Sequence, residues 1–182
     1  MAYQSSDVRA VFAAADAVAA DPDGLAQSQT PSGAGSLTLN GALTSGGVGT
    51  FVSSRQITIT STGNISNRTF TITGTDVSGA VLGVVITGPN AATVTTSAHF
   101  RTITQISISG AAAAAVTAGM NGNAIEVITT GRARIKGAFI VNSANAGTVS
   151  FVDTATPDAT SATADLITAA TRLKLGTVAS AT

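Results

Sequence analysis

The sequence predicts a mainly β protein, a β-sandwich or barrel-like body carrying a short N-terminal helical arm. Three observations carry that expectation. Runs in which Ile or Phe alternates with Thr, Arg or Gln recur through the middle of the chain. Alternation with period two puts one set of side chains on each face of a strand. Clusters of Gly, Asn, Asp and Ser separate these runs, which is turn chemistry. Only one stretch, near the N-terminus, has apolar residues at helical spacing.

That stretch covers residues 6–20. Ser5 or Ser6 is placed to cap it, and Asp7 lies in the first turn, where a negative charge is favoured. Val8, Val11, Phe12, Ala15, Val18 and Ala19 fall on one face, and Asp21-Pro22-Asp23-Gly24 is read as its terminator. A short amphipathic terminal helix serves equally as a packed element of its own domain or as an arm docked on a neighbouring subunit. Val8, Val11 and Phe12 are its candidate interface residues.

The strand runs follow in order. Ser36–Asn40 alternates, Arg55–Thr60 more clearly, then Arg68–Thr73 and the long run Phe100–Ile108. Ile and Phe are expected on the buried face and Thr, Arg and Gln on the other. Val81–Thr87 is nearly continuous in apolar residues and reads as a strand covered on both faces. Ala111–Ala115 is helical by propensity, but it is brief and lies between strands, so an extended crossover is expected. Later strands are expected at Ala124–Thr129, Ala133–Asn142, Gly147–Asp153, Ala164–Thr168 and Thr171–Leu175. The chain thus divides into a helical arm at 1–27, a β-sandwich domain at 28–118, and residues 119–182 as a second small β-domain or a continuation of the sheet.

Composition narrows the function. Charged residues are 10% of the 182-residue chain, with nine Lys+Arg balancing nine Asp+Glu. An average soluble domain carries about 25%. A formal charge of zero favours self-association and offers no basic excess for nucleic acid or an anionic membrane. The hydrophobic fraction of 44% is too high for a disordered chain, but aromatics are only 4% and Trp is absent. A core of small apolar residues buries less area per residue, so oligomerisation or docking is expected to supply more. The N-terminus has neither a basic n-region nor an apolar h-region, so no signal peptide is expected. The run Ala111–Val116 is far short of the ~20 residues of a membrane helix.

No motif carries catalytic chemistry. There is no Cys, hence no disulfide, thiolate nucleophile or thiolate zinc site. His99 is the only histidine and has no evident co-ligands, so a structural or interface role is expected of it. The loop Asp153–Asp158 lacks the dense oxygen ligands of a calcium site. Gly33-Ala34-Gly35 and Gly46-Gly47-Val48-Gly49 lack phosphate-loop spacing and read as turns or links. No cofactor and no metal are expected, and the protein is expected not to be an enzyme. Arg132, Arg134 and Lys136 share one face at strand spacing. They read first as a solvated face and second as a basic stripe for an acidic partner surface.

The text between Gln29 and Ile106 resembles a module of tailed-bacteriophage virion structural proteins. The matching pieces are Gln29-Thr30-Pro31, Leu37–Leu43, Ile57–Asn64, Arg68–Asp76, Ile86–Asn90 and Phe100–Ile106; each is generic, and their order is distinctive. Gly131–Gly137 resembles phage capsid-associated sequence less specifically. The resemblance implies a particle component. A short chain without a fibre stalk, with a helical arm on a compact β-body, suits the capsid decoration (cement) type. Its expected partner is the major capsid protein, bound as a homo-oligomer, a trimer, on the capsid exterior after assembly in the host cytoplasm. Neither nucleic acid nor membrane is expected as a partner. A tail, neck or head-fibre part and a host-glycan binding module are the alternatives. The latter is disfavoured by the scarcity of aromatic platforms.

Overall fold

The computed structural model describes residues 18–126. They form one antiparallel sheet of eight strands, and no helix occurs among them. The strands are β1 (Asp21–Gln29), β2 (Gly35–Ser36), β3 (Thr44–Ser45), β4 (Val48–Ser61), β5 (Thr69–Thr75), β6 (Val81–Thr87), β7 (Thr93–Ile108) and β8 (Val116–Ile125). Their main order is β1-β8-β4-β7-β5-β6, with β2 on β7 and β3 on β4.

β4 and β7 are the two longest strands, and their sequences explain why. Both are rich in Thr, Ile and Ser, which suit a pleated surface. They pair with each other along most of β4, while the end of β7 pairs β5. Ile57, Ile59, Phe70, Ile72, Phe100, Ile103 and Ile106 are all buried. They share one core with Leu25 and Ala26 of β1 and Val116, Ala118 and Met120 of β8. Strands from opposite ends of the sheet order therefore pack their side chains into a single cluster.

The segment after β2 explains how the ends meet. Leu37 N donates to Ile106 O of β7. A few residues on, Gly41 N donates to Leu25 O and Leu43 N to Gly24 O of β1. Side chains reinforce this span. Gln29 Nε2 donates to Thr38 O, Thr38 N donates to Gln29 Oε1, and Gln27 N donates to Asn40 Oδ1. Residues 35–43 thus link β7 to the outer edge of β1, and a hydrogen-bonded circuit runs β1-β8-β4-β7 and back. Gly46 and Gly47 then form the two-residue turn of the β3–β4 hairpin, both at positive φ (59° and 77°). Such a turn matches the twist of the flanking strands, and glycine occupies it without strain.

Several expectations are corrected. Asp21-Pro22-Asp23-Gly24, read as a helix terminator, opens β1, where Asp21 pairs Met120 of β8 and Leu25 and Ala26 are fully buried. Only the start of Ser36–Asn40 is strand; the rest arches to β1. Ala111–Ala115 agrees with expectation: it is a non-helical crossover from β7 to β8 past β4, fixed by Ala112 N donating to Pro31 O. β8 begins at Val116, earlier than the strand expected at Ala124–Thr129.

Val81–Thr87 is not covered on both faces. It is the terminal strand β6, with Val81 85% and Val85 64% exposed. A continuous apolar run reads as a covered strand, but an edge position is set by topology, which composition does not encode. Conversely, the polar face of β4 is not open. Thr58 is 6% exposed, and Arg55, which lies on the side of Ile57 and Ile59 and not with the threonines, is 1% exposed. Here β-bulges break the alternation: residues 51–54 of β4 stand opposite Arg101 alone in β7.

Candidate interaction surfaces

Two regions of the described chain concentrate unusual features. The first is a polar knot where register shifts in β4, β7 and β8 coincide. Gln56 of β4 faces residues 121–123 of β8, and Ile57 faces residues 96–98 of β7. Bulged residues lose their ladder partners, so side chains must satisfy the backbone. Thr96 Oγ1 accepts from Ile57 N at 2.9 Å and donates to Ala98 O at 2.8 Å. Gln56 Nε2 donates to Thr96 O, and Gln56 Oε1 accepts from Asn121 Nδ2 at 2.7 Å and, more weakly, from Asn123 Nδ2.

The charged groups of the knot bind the protein's own chain. Arg55 Nη1 donates to Gly122 O at 3.0 Å. Arg101 grips Glu126 with both terminal nitrogens, at 2.8 and 3.2 Å. A bidentate pair of this kind fixes geometry as well as charge. It ties the end of the described chain to β7, and Val18 lies nearby, its carbonyl facing Gly122. His99 is buried in β7 opposite Gln56. Among the described residues no three metal-ligating side chains cluster. The buried hydroxyls Ser54 Oγ and Thr58 Oγ1 make no hydrogen bond.

The second region is the outer face of β5, β6 and β7. Thr69, Thr71, Thr73 and Thr75 lie opposite Thr87, Val85, Gly83 and Val81. Thr71 and Thr73 also lie opposite Ser107 and Gln105 of β7. From Thr69 to Thr87 the only charged residue is Asp76, in the β5–β6 turn. Its Oδ1 accepts from Ser78 N, Ser78 Oγ and Ala80 N. Slight burial pushes the Asp76 carboxyl up, but these bonds outweigh it and hold the group below its ordinary value of 3.8.

One shallow open groove of about 430 Å³ is lined by Ser36, Leu37, Leu39, Gly47, Thr104 and Gln105. It holds no titratable side chain, so it offers neither a general acid nor a general base. No helix among the described residues is long and apolar enough to cross a membrane.

The sequence-predicted interface residues Val8, Val11, Phe12, Arg132, Arg134 and Lys136 lie outside the described residues. The polar knot escaped the sequence reading. Its signal was Asn121-Gly122-Asn123, since a glycine between polar residues within a strand marks a bulge. The exposed edge of β6 left no such signal. No protein-family model, no curated protein and no solved structure matches the chain.

Proposed function

We propose that the protein is a non-enzymatic structural component of a tailed-phage particle, a decoration (cement) protein that binds and stabilises the capsid shell. The observation that carries this reading is where charge is kept and where it is missing. Arg55, Arg101 and Glu126 are engaged within the knot, while the broad face of β5–β6–β7 is uncharged and ends in exposed valines. A surface of that kind suits contact with other protein. Low net charge and the phage-like text between Gln29 and Ile106 support the same reading.

The fold suits the role. The hydrogen-bonded circuit through β1, β8, β4, β7 and residues 35–43 supports a barrel-like body. The proposed arm, with Val8, Val11 and Phe12, and the basic positions Arg132, Arg134 and Lys136 would add contacts to the major capsid protein and between subunits of a trimer. Many modest contacts shared by one multivalent particle add to a strong attachment.

The test is the protein's copy number in purified particles, measured by quantitative mass spectrometry against the major capsid protein. Hundreds of copies are expected. Six or twelve would assign it to the tail or neck instead, and absence from the particle would overturn the reading altogether.

A further inference from the structure

We propose that the outer edge of β6, which no described residue covers, pairs antiparallel with β6 of a second copy, so that the two sheets become continuous across a two-fold axis at Val84. The two edges of the sheet differ in a way that motivates this. The outer edge of β1 is covered by residues 38–43 of its own chain. β6 ends the strand order, and no described residue pairs with its outer side. An uncovered strand edge is a row of unpaired donors and acceptors, and monomeric proteins usually blunt it with Lys, Pro or a bulge. β6 reads Val81-Leu82-Gly83-Val84-Val85-Ile86-Thr87, with no charge and no proline. Its pairing with β5 is continuous, without a bulge.

The strand is complementary to itself. Only a register centred on Val84 pairs all seven residues. In it Leu82 faces the second copy's Ile86, and Val84 faces Val84. Directly opposed residues share a face, so these three form one apolar stripe on the core side. That side needs cover: Leu82, Val84 and Ile86 pack on the core but remain only partly buried. On the outer face Val85 lies opposite Gly83, large against small, and Val81 lies opposite Thr87, two β-branched side chains of similar size. A self-pair sets a strand against its own charges, and β6 has none to repel. A second copy is therefore an occupant to which this edge needs no adaptation.

The contact is isologous and two-fold. It does not rest on the capsid reading. A seven-residue edge is small beside the roughly 800 Å² per partner of a standard interface. Association is therefore expected to depend on concentration in the micromolar range.

The absence of cysteine makes a direct test possible. Val84→Cys, in the full-length chain, places one thiol opposite its own copy across the axis. Under mild oxidation it is expected to form a covalent dimer at least tenfold faster than Val48→Cys, which is exposed on β4. Equal rates overturn the proposal. Sedimentation velocity supplies the second measurement. The wild type is expected to double its assembly size as concentration rises, from monomer to dimer or from trimer to hexamer, and the double variant Val81→Lys/Val85→Lys to lose that doubling. Both positions are exposed, and an unchanged circular dichroism spectrum shows that the fold persists. A wild type whose assembly size does not double, or a doubling that survives the lysines, overturns it. Particle copy number is unaffected by this result, so the two proposals fail separately.

Discussion

The two edges of the sheet solve one physical problem in opposite ways. At β1 residues 38–43 of the chain cover the edge. Backbone donors at Gly41 and Leu43 meet Leu25 O and Gly24 O, and Gln29 and Asn40 add side-chain bonds. At β6 nothing described covers the edge, and the strand is left apolar and without a bulge. The difference teaches that an irregular polar strand can be the better protected one. β1 is interrupted by register shifts and carries Asp, Pro and Gln, yet its middle is fully buried. β6 has the more strand-like sequence, yet it remains half exposed. Burial follows position in the sheet, not propensity.

The sharpest way to break this contrast is to detach β1. Gly119 of β8 sits against the backbone of Asp21 and Pro22, so an added Cβ would collide with Asp21 O. That neighbour is backbone and cannot rotate away. Gly119→Ala is expected to cost about 2–3 kcal/mol or more in urea denaturation. Hydrogen exchange should accelerate first at Leu25 and Ala26, while amides of β5 and β6 keep their protection. Uniform acceleration would show that the two edges unfold as one unit, ending the distinction drawn between them.

A milder intervention removes only the cover. Gln29 bonds both the carbonyl and the amide of Thr38, at 3.0 Å each. These bonds are exposed to solvent, so each contributes modestly. Gln29→Ala is expected to cost about 1 kcal/mol and to speed exchange at Thr38, Gly41 and Leu43. If exchange there is unchanged, the backbone bonds alone hold residues 35–43 to β1.

This asymmetry was only partly legible in the sequence. The strands β4 and β5 announce themselves because Arg55–Thr60 and Arg68–Thr73 alternate with period two; in β7 Phe100, Ile106 and Ile108 keep one parity, while Ile103 falls out of phase at the register shift opposite Thr73 and Gly74. Alternation is a local property, readable one residue at a time. Sheet order is not local. Nothing in Val81–Thr87 distinguishes a central strand from an edge, because both accept apolar residues. β1 was hidden for another reason: Asp21-Pro22-Asp23-Gly24 has the chemistry of a helix stop, and Leu25-Ala26 is too short to show a period. Arg55 reads as solvent-facing from its charge, yet it has the parity of Ile57 and Ile59, and every second residue of β4 from Gly49 to Ser61 is buried. Gly122 presents a carbonyl to it.

The smallest effect belongs to the hairpin that carries the open edge. Asp76 shapes the turn between β5 and β6 by accepting bonds from Ser78 and Ala80. Asp76→Asn keeps an acceptor oxygen but removes the charge, so at neutral pH it is expected to lower stability by no more than about 1 kcal/mol. The pH dependence gives the sign. The folded carboxyl is held below 3.8, its value in the unfolded chain. The native state therefore favours the ionised form, and the resulting stabilisation is complete above 3.8. It declines as pH falls through the lower folded value, where the carboxyl protonates in the native hairpin. The stability gap between wild type and Asp76→Asn should thus close on acidification and remain constant from mildly acidic to neutral pH. Because β6 lies outside the circuit that joins β1 to β7, this change should register in exchange at Ala80 and leave Gly41 untouched. A gap that persists below the folded value, or that spreads to the β1 edge, would show that the hairpin and the closed side share one cooperative unit.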